Sequence, residues 1–189
     1  MLTNEFRKLI APLARTLMII WGAFLAAPLV YLFIAWTLNR KAAAPDSFTA
    51  EGTGPPLVGI LGAVIMVLLV AVSIFLERRA FSPATLRRKA AVAPSFTTLV
   101  PRPTAANEAS GRLFGSLSDS EQKRACLFPH FQTTHIVIWA LRETVAVMGL
   151  VLAIVTGDFS LAVTFCLASF VLLAVKPPRP TAFFGNLDL

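Results

Sequence analysis

Apolar and polar residues are strongly segregated along this chain, and the long apolar stretches contain almost no charge. Four such stretches cover residues 16–38, 56–76, 133–155 and 160–175. A helix rises about 1.5 Å per residue and the hydrocarbon core of a bilayer is about 30 Å thick, so the first three stretches are long enough to cross it and the fourth is slightly short. The pattern predicts an all-α membrane protein with four transmembrane helices.

The first apolar stretch is expected to be retained as a membrane span. It is longer than the apolar core of a signal peptide, which has about 7 to 15 residues, and no clear cleavage site follows it. Before it, four apolar residues share one helical face: Phe6, Leu9, Ile10 and Leu13. Because Glu5, Arg7 and Lys8 lie opposite, the pattern predicts a short interfacial helix on the inner leaflet, with Pro12 turning the chain into the first span.

Basic residues are concentrated between the second and third stretches. They are Arg78, Arg79, Arg87, Arg88, Lys89, Arg102, Arg112, Lys123 and Arg124. Residues 156–159, which separate the third and fourth stretches, contain no basic side chain. Since cytoplasmic loops are enriched in Lys and Arg, this distribution predicts two helical hairpins with both termini and the basic loop inside. The expected location is the bacterial inner membrane, with an N-in/C-in topology.

The basic loop divides into a linker and a short helix. Residues 90–109 are rich in Pro, Ala, Ser and Thr without apolar periodicity, which indicates a mobile linker. Ser118 and Glu121 match a capping box, so a surface helix is expected from there to about Phe128, where Pro129 re-aims the chain. Beyond the fourth stretch, a Pro-rich tail is expected to be extended. The predicted divisions are 1–77 (interfacial helix and first hairpin), 78–131 (basic loop), 132–176 (second hairpin) and 177–189 (tail).

The two hairpins share an internal similarity. Placing Trp21 on Trp139 also superposes Ala35 on Ala153, and each block is followed by a turn and another apolar stretch. The match indicates either the duplication of one hairpin or the chance similarity of two apolar helices.

Residues 138–153, with the sequence IWALRETVAVMGLVLA, and the hairpin architecture resemble small bacterial membrane proteins whose hairpins are similar to the proteolipid c subunits of rotary ATPases. The resemblance covers mainly the third and fourth stretches. In c subunits the ion-carrying carboxylate lies on the second helix of a hairpin, and the first helix is rich in closely spaced glycines. Here Glu143 lies on the first helix, directly after Arg142, and the glycine pattern is absent. These departures argue against a working rotor subunit.

Polar and small residues of the third stretch recur at alternating spacings of three and four, which puts them on one stripe of a helix. The stripe consists of Gln132, His135, Trp139, Arg142, Ala146, Gly149, Ala153 and Thr156. Small side chains allow another helix to approach closely, and polar ones need partners that lipid cannot provide. The stripe is therefore predicted to face protein. Met148 and Leu152 lie largely elsewhere and suit lipid or apolar packing.

Arg142 and Glu143 are the charged residues within the four stretches. As sequence neighbours they point about 100° apart, so their expected partners are hydroxyl groups within the bundle, another copy of the chain or a different subunit. Either Glu143 is a proton or cation site tuned by Arg142, or the two residues lock helix packing and assembly, or Arg142 binds an anionic ligand.

Several function classes find no support in the sequence. With 56% apolar and 14% charged residues, the chain departs from a soluble domain, which carries about 25% charge. The net charge of +7 is explained by topology and anionic lipids, without a nucleic-acid partner. Cys126 and Cys166 are too few for a metal site, and His130 and His135 do not share a helical face. No metal or other cofactor and no catalytic motif is predicted.

The favoured hypothesis is a non-enzymatic subunit of a bacterial inner-membrane complex. It would assemble through the stripe of the third helix, with membrane lipids and other subunits or identical copies as partners. The alternative is a small oligomeric ion- or proton-coupled membrane protein that uses Glu143.

Overall fold

The computed structural model describes residues 2–42, 56–91 and 111–187, and these ranges contain helices and no strands. The helices are α1 (Asn4–Ala42), α2 (Pro56–Ala80), α3 (Pro83–Ala91), α4 (Asp119–Cys126), α5 (Phe128–Thr156), α6 (Phe159–Ala174) and α7 (Pro180–Gly185). Residues 111–115 are also helical. The predicted linker of residues 90–109 lies outside the described residues except for its first two positions, which end α3.

Three of the described helical stretches are long and apolar enough to cross a membrane. They are Asn4–Arg40, Gly59–Ala80 and Asp119–Thr156, the last of which joins α4 and α5. The prediction of an all-helical protein with membrane-compatible helices is therefore confirmed. The helix α6 is apolar but has only 16 residues, a length of about 24 Å that is short of the bilayer core. A fourth span and the N-in/C-in topology remain predictions.

The start of the chain differs from the prediction. An interfacial helix that turns at Pro12 was expected, but α1 is one helix of 39 residues that runs through both Pro12 and Pro28. Each proline removes one backbone donor without ending the helix, because the turns on either side keep their own hydrogen bonds. Phe6 and Ile10 are buried against protein and do not lie on lipid. The ring of Phe6 packs on Phe184, which is distant in the sequence, so a local pattern does not reveal this contact.

The chain divides into two compact units. The first unit comprises Met1–Ile19, Glu77–Ile136 and Pro178–Leu189. Its centre is a cluster of rings, called here the aromatic cluster: Phe6, Phe81, Phe128, Phe131, Phe183 and Phe184. Phe184 is fully buried, with its ring centroid 6.0 Å from that of Phe6. The tail was expected to be extended, but its residues Pro180–Gly185 form the helix α7. Proline is suited to the first position of a helix because its φ angle is already helical.

Glu121 holds the start of α1 within this first unit. Its Oε1 accepts a hydrogen bond from the backbone N–H of Thr3 at 2.8 Å, and its Oε2 accepts one from the Ser118 hydroxyl at 3.2 Å. The predicted helix does begin after Ser118, but the serine side chain makes no capping bond to the backbone. Pro129 lies in the first turn of α5, where an N–H is not needed, and α4 ends before it at Cys126.

The second unit comprises Ile20–Leu76 and Val137–Pro177. One part of its core contains Val145, Leu152 and Phe165, and another contains Ala35, Ala153 and Ala162. The predicted turn between the third and fourth apolar stretches is present. Its sharp reversal uses Gly157 at φ 72°, a conformation that favours glycine, and the Asp158 side chain caps α6 by accepting the Ser160 N–H at 2.9 Å.

Candidate functional site

The end of α6 organises the polar groups of the second unit. The last four carbonyl groups of a helix have no partner inside the helix. For Leu173 the next donor along the helix would be at Pro177, which has no N–H, so the sequence itself leaves this carbonyl open. The indole Nε1 of Trp21 donates to the Leu173 carbonyl at 3.1 Å. One orphan carbonyl of α6 is therefore satisfied from α1.

Arg142 donates a hydrogen bond to the neighbouring carbonyl group, that of Leu172. Its guanidinium Nη1 donates to the Leu172 carbonyl at 3.1 Å, and the residue is only 5% exposed. A cation at the negative end of a helix dipole is stabilised. The fully buried Ser169 hydroxyl donates in turn to the Arg142 carbonyl at 2.9 Å. Arg142 and Leu172 are each 15 residues from Gly157, so α5 and α6 are joined twice at about 22 Å from their turn.

Glu143 points to a different helix. The Tyr31 hydroxyl of α1 donates to its Oε1 at 2.7 Å, and the carboxyl side chain is half-buried. Of the partners that the sequence left open, the structure supplies a hydroxyl group within the same unit. Tyr31 was missed as a site residue, although it is the one tyrosine of the chain and its hydroxyl, inside an apolar stretch, needs a hydrogen-bond partner.

The predicted stripe of α5 is divided between the two units. The second unit buries Trp139, Arg142, Ala146, Gly149 and Ala153. The first unit contains His135, which is half-buried, with Nδ1 2.9 Å from the Phe131 carbonyl and the two ring centroids 4.1 Å apart. The Trp139 ring lies 6.2 Å from the ring of Phe24 on α1. Most of the stripe thus faces other helices of its own chain.

Two glycines mark the closest approaches of helices in the second unit. A Cβ added to Gly149 would collide with the Phe165 side chain on α6, and one added to Gly62 on α2 would collide with Leu152. Leu152, which the sequence placed off the stripe, is 8% exposed and is a core residue. α5 is therefore covered on two faces, one including the stripe and one including Leu152.

The described side chains of this site can make hydrogen bonds and exchange a proton. Among the described residues, no group of three or more His, Cys, Asp and Glu side chains could hold a metal ion. Arg142 completes a helix end, while the Glu143 carboxylate and the Tyr31 hydroxyl form a pair that can hold a proton. The partly exposed Glu143 is the candidate functional group.

The function has to be inferred from this geometry. The chain matches no protein-family model, no curated protein and no solved structure with which we compared it.

The packing of Gly149 gives a direct test of the close α5–α6 contact. We expect Gly149→Ala to lower the free energy of unfolding by about 1–3 kcal/mol, because the added methyl group has no space beside Phe165. The matched control is Gly22→Ala, since no atom lies within 4 Å of a Cβ at Gly22. The control should be neutral or stabilising by up to about 1 kcal/mol through helix propensity. Reversible unfolding in mixed micelles measures both. Equal effects of the two substitutions would contradict the packing described.

Proposed function

We propose that this chain is a non-enzymatic subunit of a bacterial inner-membrane protein complex. The observation that carries the proposal is the half-buried state of Glu143. The residue lies 14 positions before the Gly157 turn, about 21 Å along an apolar helix. A carboxylate that faces hydrocarbon at this depth is costly, so its open side needs a polar group or water. A second subunit, or another copy of the chain, supplies that group in this proposal.

The apolar surfaces of α1 and α2 support the same proposal. In the most apolar part of each helix only 11% of the residues are buried, compared with 44% in α5. On α2 the exposed residues Ala63, Val67 and Ala71 follow each other at a spacing of four, so they share one face with small side chains. Membrane helices associate through such faces by van der Waals packing.

The proposed contact surface differs from the one that the sequence favoured. Trp139, Ala146, Gly149 and Ala153 are covered inside the second unit, so the stripe is occupied within the chain. Partner contacts therefore involve the open side of Glu143 and the exposed faces of α1 and α2. The topology that accompanies the proposal has four spans and both termini in the cytoplasm, as the distribution of basic residues favours.

Photo-crosslinking in native membranes tests the complex directly. Val147 lies one helical turn after Glu143 and is 38% exposed, whereas Val145 is fully buried. A photoreactive amino acid at position 147 should give an adduct with a second polypeptide, and the same amino acid at position 145 should react only within the chain. Adding Glu143→Gln should reduce the position-147 adduct by roughly tenfold or more if a charge-assisted bond of about 1.5–3 kcal/mol is lost. Only lipid adducts at position 147, together with a monomeric mass in nanodiscs, would refute the proposal.

The second candidate function is proton or cation transfer, and the 2.7 Å hydrogen bond between Tyr31 and Glu143 favours it. A carboxyl group in a membrane helix is suited to carry a proton, and a neighbouring hydroxyl can receive or donate it. In this proposal one copy has only four spans, which enclose too little space for a solute route, so an oligomer would have to complete the pathway.

Flux measurements in proteoliposomes separate this candidate from a purely structural role. Glu143→Gln should abolish proton or cation flux, because the amide cannot take part in proton exchange. The control is Asp158→Asn, which changes a carboxylate whose role is to cap α6. Flux that persists in Glu143→Gln would exclude the carrier function.

A further inference from the structure

The first unit contains a cavity of about 580 Å³ between the start of α3 and the chain around α7. This volume lies within the range of small-molecule sites, about 300–1,000 Å³. Phe81, Leu86 and Phe183 give the cavity apolar walls, and Arg87 and Arg179 also line it. The cavity therefore combines an apolar interior with cationic hydrogen-bond donors.

The excess of basic residues around the cavity favours a negatively charged ligand. None of the described residues that line it is acidic. In the described part of the first unit, twelve Lys and Arg residues stand against four Asp and Glu residues. Guanidinium groups bind phosphate oxygens through paired hydrogen bonds. An anionic phosphate group joined to an apolar portion matches both the cations and the walls.

The sequence positions of the walls favour a lipid as the source of this phosphate. Phe81 directly follows α2, and Arg179 comes five residues after the end of α6 at Ala174. Both α2 and α6 are apolar helices, and α2 is long enough to cross a membrane, so the chain that builds each wall continues from an apolar helix. Lipid headgroups occupy the layer of roughly 5–8 Å just outside the hydrocarbon core. Basic segments at the cytoplasmic surface attract anionic lipids.

We propose that this cavity is a binding site for an anionic phospholipid, with Arg87 and Arg179 holding the phosphate and the apolar walls holding the start of an acyl chain. The inference depends on the membrane location of the chain and not on the subunit proposal. The proposed binding differs from a general attraction of lipid to a charged surface. It depends on Arg87 and Arg179 and not on the other exposed basic residues of the same unit.

Native mass spectrometry of the full chain in detergent tests the site with two probes, phosphatidylglycerol and phosphatidylcholine. The test variant is Arg87→Gln with Arg179→Gln. The control is Arg88→Gln with Arg112→Gln, which removes the same charge from exposed positions that do not line the cavity. We expect the test variant to weaken phosphatidylglycerol binding by on the order of tenfold or more, and the control to leave it nearly unchanged.

A second variant fills the cavity while keeping both arginines. Ala182 is an exposed residue of the cavity wall, and Ala182→Trp should also weaken phosphatidylglycerol binding. Equal binding of the two lipids, or equal losses in the test and control variants, would overturn the proposal. Competition by glycerol 3-phosphate as effective as that by phosphatidylglycerol would assign the site to soluble phosphate esters and overturn the lipid assignment. If the crosslinking experiment finds no second polypeptide but phosphatidylglycerol still binds as expected, that result would count against the subunit proposal and not against the lipid site.

Discussion

The second unit depends on how the last carbonyl groups of α6 are satisfied. Pro177 and Pro178 follow this short helix and have no N–H to offer, so the carbonyls of Leu173 and Ala174 lack the donors that the next turn would supply. Trp21 reaches the Leu173 carbonyl from α1, and Arg142 reaches the Leu172 carbonyl from α5. An unpaired carbonyl in an apolar environment costs about 1–3 kcal/mol, so these bonds fix the level at which the three helices meet.

This arrangement also determines what Glu143 can do. Because Arg142 is directed to α6, the next side chain of the helix is rotated by about 100° and meets Tyr31 on α1. The two opposite charges therefore have separate roles. Arg142 is buried and completes a helix end, whereas Glu143 keeps an open side on an apolar surface. The proposals for assembly and for proton transfer both start from that open side.

Local sequence patterns predicted the features that depend on neighbouring residues. The apolar stretches and the Gly157 turn follow from length and conformational preference, and α4 does start after Ser118, although without the predicted side-chain cap. Features that depend on distant contacts were missed. The local pattern did not show that Phe6 and Phe184 pack together, that Leu152 approaches Gly62, or that Tyr31 binds Glu143. The prediction that Pro12 turns the chain was also wrong, because a long helix retains the hydrogen bonds on both sides of a proline.

The most direct measurement is a double-mutant cycle between Trp21→Phe and Pro177→Ala, with the free energy of unfolding measured in mixed micelles. Alone, Trp21→Phe should cost about 1–3 kcal/mol, since the Leu173 carbonyl loses its donor. In the Pro177→Ala background the cost should be clearly smaller, because the new N–H at position 177 can serve the same carbonyl. An identical cost in both backgrounds would contradict the claim that Trp21 replaces the donor that proline lacks.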